Sequence, residues 1–275
     1  MMNRLIAPNP VVVVPVHRQK PTADEQLSLR QCHRVLGHYP IRIVHPEGLE
    51  LSEYHRLLPS AKSLSVPNSW MASIQAYNRM MINPAFFRKL DCFTHLLIHE
   101  PDAIVLSDKL LDWCKQPYDF IGAPWFDGFH QANPESPIIP GGNSGFSLIR
   151  IAAIRNILRS GYRWTPISLI ARELKKKALW RPNNFRFSYL LKILGVAGQM
   201  RGAHLVLDEN FDLFLCRHIP YADPTFAIAP PEIAIAFSWE VNPKTCYELN
   251  HARLPFGIHA WARYDRLFVE QLLAK

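Results

Sequence analysis

The feature that most constrains the fold is an almost wholly apolar run at residues 11–16, which reads Val-Val-Val-Val-Pro-Val. A strand that is apolar on both faces must be covered on both faces, and this is typical of a parallel sheet between layers of helices. Other segments that predict strands are residues 41–44, 63–66, 95–99 and 118–121. Because helical segments separate the first strands, the sequence predicts a doubly wound α/β sheet.

Capping residues predict where the helices begin. Thr22 and Glu25 have the spacing of a capping box, in which the Thr22 hydroxyl accepts a hydrogen bond from the Glu25 amide. Ser69 predicts the start of a helix over residues 70–81, and we expect the last helix over residues 261–273. Further helices are expected at residues 84–90, 151–158, 167–179 and 185–194.

Length and composition are those of a globular chain. Of its 275 residues, 48% are hydrophobic and 20% are charged, so a sizeable core is expected. No uncharged apolar run approaches the roughly 18 residues of a membrane span, and the first residues lack the pattern of a signal peptide. The five cysteines form no C-x-x-C pair, so we expect a reduced, cytoplasmic protein.

Positive charge is concentrated in one segment. The net charge is +8, yet residues 150–192 hold eleven Lys or Arg and one acid, so the remainder of the chain is close to neutral. Such a segment can rest on anionic lipid, but a solvated helix that packs through its apolar stripe is the simpler explanation. Its interleaved aromatic residues also allow a nucleic-acid-binding protein. We rank that alternative low, because packing explains the helical spacing of the aromatics.

Polar residues follow the predicted strands at the edge where ligands of such sheets bind. His17 and Arg18 follow the first strand, and Glu100 and Asp102 follow the strand at 95–99. Carboxylates two positions apart can point the same way, and Mg²⁺ or Mn²⁺ prefers oxygen ligands together with phosphate oxygens of a substrate. The sequence therefore predicts a divalent-cation site at Asp102 and Glu100, with a solvated turn as the alternative.

Three glycines within residues 141–145 form a second candidate. Gly142 and Asn143 belong to the segment Gly-Gly-Asn-Ser-Gly, in which the missing side chains let the backbone pass close to a ligand. A hairpin turn is the alternative. The segment matches neither a phosphate-binding P-loop nor a dinucleotide fingerprint.

Acidic residues and a histidine in the last third of the chain are further candidates. Asp208, Glu209 and Asp212 crowd a segment that otherwise predicts an apolar helix, where repulsion between like charges indicates a site. Asp208 or Glu209 can instead cap the helix. His259 lies in a glycine-containing loop and is a candidate ligand of a metal or a diphosphate, with core packing as the alternative. We expect His259 to lie close to Asp102.

Together, these segments resemble a glycosyltransferase-like domain family of unassigned function that occurs in bacteria and some eukaryotes. The resemblance rests on the order of six short motifs and extends over residues 11–272. In chain order the motifs stand at residues 13–18 (Val-Val-Pro-Val-His-Arg), 102–108 (Asp-Ala-Ile-Val-Leu-Ser-Asp), 118–125 (Tyr-Asp-Phe-Ile-Gly-Ala-Pro-Trp), 142–148 (Gly-Asn-Ser-Gly-Phe-Ser-Leu), 211–214 (Phe-Asp-Leu-Phe) and 255–261 (Pro-Phe-Gly-Ile-His-Ala-Trp).

The resemblance implies a GT-A-like fold, with a Rossmann-type, mostly parallel central sheet flanked by helices and a more helical acceptor side. We expect one domain over residues 1–275, with a donor half at 1–125 and an acceptor half at 126–275. The implied activity is a hexosyltransferase-like transfer of sugar from a nucleotide-sugar donor to a hydroxyl of a saccharide or lipid-linked acceptor, as in cell-envelope or polysaccharide synthesis. A divalent metal, Mn²⁺ or Mg²⁺, is the expected cofactor. For the basic segment at residues 150–192, the solvated helix stays the simpler explanation, and peripheral contact with the inner face of the membrane is the alternative.

The candidate residues then take specific roles. Expected metal ligands are Glu100, Asp102 and His259, and expected donor contacts are His17, Arg18, Asp102, Gly142 and Asn143. Asp212 matches the aspartate of the family's Glu-Asp motif and is the expected general base, with Glu209 as its rival. Phe211 stands where the family has the glutamate, and Ser144 where it has a second glycine. The first departure leaves open a non-catalytic relative that binds a sugar or a nucleotide.

Overall fold

The computed structural model of the protein describes residues 7–164, 196 and 198–274. The strands are β1 (Pro10–Pro15), β2 (Ile41–Pro46), β3 (Lys62–Val66), β4 (His95–His99), β5 (Ile104–Val105), β6 (Phe120–Phe126), β7 (Ile138–Arg150), β8 (Ser238–Trp239) and β9 (Gly257–Ile258). The helices are α1 (Ala23–Leu36), α2 (Ser52–Leu57), α3 (Ile74–Met81), α4 (Pro84–Arg88), α5 (Leu110–Cys114), α6 (Ile151–Arg159), α7 (Phe211–Leu213), α8 (Ile219–Ala222), α9 (Pro231–Phe237), α10 (Pro243–Leu249) and α11 (Arg266–Leu273). Short 3₁₀ helices lie at Asn68–Trp70, Phe129–Gln131 and Met200–Leu205, and a π-helical turn lies at Phe214–His218.

The main sheet is mostly parallel. Among the described residues it has six strands in the order β3-β2-β1-β4-β7-β6. The four strands from β3 to β4 run parallel, and β7 runs antiparallel to both of its neighbours. All six residues of β1 are buried. The predicted α/β class, with a mostly parallel central sheet flanked by helices, is therefore confirmed.

The side chains of β1 divide the core into two layers. Val11 and Val13 belong to a cluster with α3, α4 and α6, whereas Val12 and Val14 belong to a cluster with α1, α2 and α5. Alternate residues of a strand face opposite sides of the sheet, so a run of valines fills both layers. This is why the apolar run at residues 11–16 predicts a central strand.

The strand order changes direction between β1 and β4. From β1 the chain builds outward to β2 and β3, and from β4 it builds the other way to β7 and β6. Loops that leave the carboxyl ends of β1 and β4 therefore diverge and open a crevice, which is where ligands of doubly wound sheets bind.

A second, smaller sheet lies beside this crevice. It consists of β5, β9 and β8 in that order, with β5 antiparallel and β8 parallel to β9. Residues before β5, after β9 and after β8 consequently meet at one end of the small sheet.

Two helix boundaries differ from the predicted ones. The helix expected over 70–81 begins at Ile74, because Ser73 provides the N-cap through its Oγ, 3.1 Å from the Ala76 amide, and Ser69 lies within a 3₁₀ turn. The last helix begins at Arg266 rather than at Trp261. The Trp261 indole is buried and donates to the Ser28 hydroxyl at 2.8 Å, so this residue is held in the core before the helix starts.

Other predicted elements agree with the structure. The Thr22–Glu25 capping box is present at the start of α1, and α6 covers the helix expected at 151–158. The helices expected at 167–179 and 185–194, and most of the basic segment 150–192, lie outside the described residues. In the part of the chain that the structure describes, every helix is too short or too polar to cross a membrane.

Candidate functional site

Two carboxylates and a histidine meet at the carboxyl edge of the main sheet. Glu100 follows β4, Asp102 precedes β5 and His259 follows β9. The His259 Nε2 lies 3.3 Å from an oxygen of Glu100 and 3.5 Å from an oxygen of Asp102. All three potential ligand atoms lie within 4.8 Å of one another. The expected proximity of His259 and Asp102 is thus observed.

The small sheet explains how residues so far apart in sequence come together. Ile104 of β5 pairs with Ile258 of β9 in antiparallel register, which places Asp102 and His259 at the same end. The Asp102 carbonyl also accepts a hydrogen bond from the Trp261 amide at 3.4 Å.

A third carboxylate completes this cluster from the buried side. Trp239 of β8 is in parallel register with Ile258, so Glu240 lies beside His259. An oxygen of Glu240 is 3.2 Å from the His259 Nδ1, at ion-pair distance, and Glu240 is 7% exposed. Glu240 was not among the predicted residues, although a single acid in the apolar stretch Ala-Phe-Ser-Trp-Glu-Val is a signal for a buried charge with a partner.

The electrostatics of the cluster favour positive charge at its centre. Burial by itself lowers the pKa of His259, but the nearby carboxylates of Asp102, Glu100 and Glu240 outweigh it and raise the pKa well above the ordinary value of 6.5. For Asp102, burial raises the pKa and the neighbouring His259 lowers it, with a net pKa below the ordinary value. A cation is therefore stabilised among these carboxylates.

Gly145 allows the imidazole to lie against β7. A Cβ at this position would fall 2.1 Å from the His259 Nε2. The glycine segment at 141–145 lies within the long strand β7 rather than in a hairpin turn, and the group that its backbone approaches at Gly145 is the His259 side chain. A side chain of any size here displaces the histidine.

A cavity of about 580 Å³ opens next to the cluster. Pockets of roughly 300–1,000 Å³ hold small molecules and cofactors of drug size. Its walls include the predicted residues His17, Arg18, Glu100, Asp102, Asn143, Asp212 and His259. Arg18 forms an ion pair with Glu25, and the Tyr77 hydroxyl donates to Glu100 at 3.3 Å, which fixes one wall of the cavity.

Asp212 is a buried carboxylate that also lines this cavity. It lies in α7, is 5% exposed and accepts hydrogen bonds from the Leu213 amide at 2.7 Å and from the Ser144 hydroxyl at 3.3 Å. Burial raises its pKa from the ordinary 3.8 to about 6, against the lowering effect of these hydrogen bonds. Asn78 holds the start of the helix, since its Oδ1 accepts from the Phe211 amide at 3.0 Å.

Residues 60–259 match the family model described as Protein of unknown function (DUF5672). The chain belongs to this family. The matched region contains Glu100, Asp102, Asp212 and Glu240 and ends at His259. A comparison with curated protein sequences gives no significant match.

Solved glycosyltransferases resemble this DUF5672 protein in fold. The galactosyltransferase LgtC, solved with donor and acceptor sugar analogues, aligns at 12% identity and a TM-score of 0.48, over 96% of this chain and 95% of its own. Mouse xyloside xylosyltransferase 1 aligns at 12% identity and 0.45, over 90% and 96%. Core-mannan synthase A from Aspergillus fumigatus, in its Mn/GDP form, aligns at 12% identity and 0.41, over 54% of this chain and 60% of its own. The chain thus spans about three fifths of the latter protein.

Three predicted residues of the DUF5672 protein lie away from the cavity. Gly142 packs against the neighbouring strand, where an added Cβ would be 3.0 Å from the Gly122 backbone, and it does not line the cavity. The expected helix through Asp208, Glu209 and Asp212 begins only at Phe211, which leaves Asp208 and Glu209 in the preceding turn. An oxygen of Glu209 lies 2.7 Å from the His218 Nε2.

Proposed function

We propose that this DUF5672 protein transfers a sugar from a nucleotide-sugar donor to an acceptor hydroxyl. The observation that carries the proposal is the cluster of Glu100, Asp102 and His259 on the wall of the larger cavity, at the edge where the strand order changes direction. A site of this kind suits a ligand with a diphosphate, because carboxylates bind phosphate only through a cation.

The donor set fits a divalent cation, and we propose Mn²⁺ or Mg²⁺. Two carboxylate oxygens and one imidazole nitrogen come within 4.8 Å of one another, and Glu240 supports the other ring nitrogen of His259 at 3.2 Å. A carboxylate on the second nitrogen of a ligating histidine is common in metal sites, where it orients the ring. When bound there, the cation would offset the charge that develops on a leaving diphosphate.

Residues at the end of β1 are proposed to contact the donor. His17 and Arg18 line the cavity directly after β1, and Asn143 lines it from β7. The ion pair with Glu25 restrains Arg18, so its guanidinium is held near the cavity before a ligand arrives.

Asp212 is the proposed general base. An alcohol becomes a good nucleophile only as its proton is removed, and a base works best when its pKa is near the operating pH. Burial brings the pKa of Asp212 to about 6, and the carboxylate lines the same cavity as the metal cluster. Glu209 does not line this cavity, which favours Asp212 over its rival.

The acceptor and its location are also proposals. A saccharide or lipid-linked hydroxyl, a cytoplasmic location and peripheral membrane contact through residues 150–192 are consistent with one another. We also propose the division into a donor half at 1–125 and an acceptor half at 126–275. His259 of the acceptor half contributes to the donor site, since it lies beside Glu100 and Asp102 of the donor half.

Hydrolysis of nucleotide sugars by the purified chain tests the proposal. We expect one sugar nucleotide of a broad panel to be hydrolysed slowly in the presence of Mn²⁺ or Mg²⁺, and the matching nucleoside diphosphate to raise the melting temperature only with the metal. Binding at 100 times Kd corresponds to ~2.7 kcal/mol of stabilisation. If no sugar nucleotide of the panel is hydrolysed and no nucleoside diphosphate gives metal-dependent stabilisation, the proposal is overturned.

A further inference from the structure

A second cavity lies on the other side of Asp212. Its volume is about 230 Å³, and it shares Asn143, Asn210 and Asp212 with the larger cavity. The metal cluster of Glu100, Asp102 and His259 does not line it. A carboxylate that lines both cavities can take a proton from a hydroxyl bound in one cavity while the sugar donor is bound in the other.

The walls of the smaller cavity combine aromatic rings with buried carboxylates. Trp125 and Phe129 lie at a centroid distance of 5.6 Å and an interplanar angle of 65°. Asp212 and Glu240, which are 5% and 7% exposed, provide acceptors at the same cavity. Aromatic faces pack on the C–H groups of a sugar ring, and carboxylates accept hydrogen bonds from its hydroxyls.

The backbone holds the aromatic rings in an uncommon geometry. Phe129 has φ of 50° and directly follows Gly128 with φ of 89°. Positive φ at a bulky residue costs energy and persists only where the surroundings impose it, often at functional sites. Gly141 makes room for the Trp125 indole, since a Cβ there would lie 2.2 Å from the ring.

The volume also limits what can bind. A space of about 230 Å³ is below the roughly 300–1,000 Å³ of pockets that enclose drug-sized ligands, so it suits one ring of a larger acceptor. Exposed His130 lies at this cavity, 3.4 Å from the Tyr264 hydroxyl, where a longer saccharide would continue.

We propose that the cavity between Trp125, Phe129, Asp212 and Glu240 is the acceptor site and that it takes the terminal ring of a saccharide. This inference rests on the proposed function. In the transfer, the acceptor oxygen bonds to the anomeric carbon of the donor sugar, and the bond from that carbon to the diphosphate oxygen breaks. Its electron pair leaves on the diphosphate, and the hydroxyl proton passes to Asp212.

The test measures glycoside binding separately from donor chemistry. Saturation-transfer NMR with a panel of methyl and p-nitrophenyl hexosides reports binding to the wild type without turnover. We expect binding of at least one glycoside and about a tenfold loss of affinity in Phe129→Ala, the usual scale for a lost ring contact.

Phe93→Ala is the matched control. Like Phe129, Phe93 is half-buried and has an arginine over its ring. The guanidinium carbon lies 5.5 Å from the centroid of the Phe93 ring and 5.9 Å from that of Phe129. Phe93, however, precedes β4 and so lies at the amino end of the parallel strands. It should bind glycosides as the wild type does. His130→Ala removes an exposed side chain, so it is expected to fold even if Phe129→Ala does not, and it too should bind more weakly.

The outcomes separate the two proposals. Wild-type protein that hydrolyses a donor but binds no glycoside overturns the acceptor site, and so do Phe129→Ala and His130→Ala proteins with wild-type affinity. Absence of donor hydrolysis and of metal-dependent nucleotide binding instead contradicts the proposed function, whatever the glycosides do.

Discussion

The two cavities that meet at Asp212 are built from different chemistry. The larger one carries Glu100, Asp102 and His259, which are residue types that ligate metal ions. The smaller one places two aromatic rings beside buried carboxylates. Glu240 links them, because it lines the smaller cavity and contacts the histidine of the larger one. From this difference we propose that charge holds the donor, that ring packing selects the acceptor, and that Asp212 acts where they meet.

The largest effect is expected at Asp212, and the contrast between the two cavities loses its meaning if this residue has no chemical role. We expect Asp212→Asn to lower kcat of sugar transfer by ~10²–10⁴-fold, because the amide cannot take the acceptor proton. Metal-dependent donor binding should be retained. In the wild type, kcat should fall as the pH drops through about 6, the raised pKa of this carboxyl, since protonation removes the base. Steady-state kinetics over roughly pH 4.5–8, a range that brackets this pKa, tests the prediction.

The melting temperature and a matched variant serve as controls for the loss of kcat in Asp212→Asn. The pKa of Asp212 is raised on folding from 3.8 to about 6, so stability decreases as pH rises through that window, by on the order of 3 kcal/mol at neutral pH. Asp212→Asn should therefore melt at or above the wild-type temperature at pH 7. Glu209→Gln makes the same chemical change three residues upstream, outside both cavities, and should leave kcat unchanged. If Glu209→Gln loses turnover and Asp212→Asn does not, Glu209 is the base.

A smaller effect is expected at the contact between the cavities. Glu240→Gln keeps the shape of the side chain but removes the charge beside the His259 Nδ1. Support of a ligating histidine by a carboxylate typically contributes 10–100-fold in metal affinity. We therefore expect the Kd for Mn²⁺ to rise by about that factor, as measured by isothermal titration calorimetry. Unchanged Mn²⁺ affinity in a folded Glu240→Gln protein would show that the two cavities are independent.

The parts of the fold that depend on local patterns could be predicted from the sequence. The apolar run at residues 11–16 predicts the buried central strand because its side chains fill both layers. The capping box at Thr22 and Glu25 is a contact within four residues, so spacing alone determines it. Ser69 and Ser73 are both good caps, and the pattern could not distinguish them, since the 3₁₀ turn at Asn68–Trp70 depends on tertiary packing.

The site could be predicted only in part, for the same reason. Asp102, Glu100 and His259 stand out as polar residues in loops. The sequence marks Glu240 only as an acid in an apolar stretch, and its partner His259 is set when β8 pairs with β9. Gly142 and Gly145 look alike in sequence, yet one packs on Gly122 and the other on His259, a difference set by the register of β7. The roles of all these residues stay predictions until they are measured.

The most direct measurement is the binding of Mn²⁺ to the charged cavity. Electron paramagnetic resonance reports free Mn²⁺ during titration of the protein in the presence of UDP or GDP. Asp108→Asn is a matched control for Asp102→Asn, because the two side chains are 50% and 49% exposed and Asp108 pairs with His38 away from the cavity. We expect the wild type and Asp108→Asn to bind one Mn²⁺ together with the nucleotide, and Asp102→Asn to lose this binding while keeping its melting temperature. Equal Mn²⁺ binding by Asp102→Asn and the wild type would contradict the assignment of the cluster.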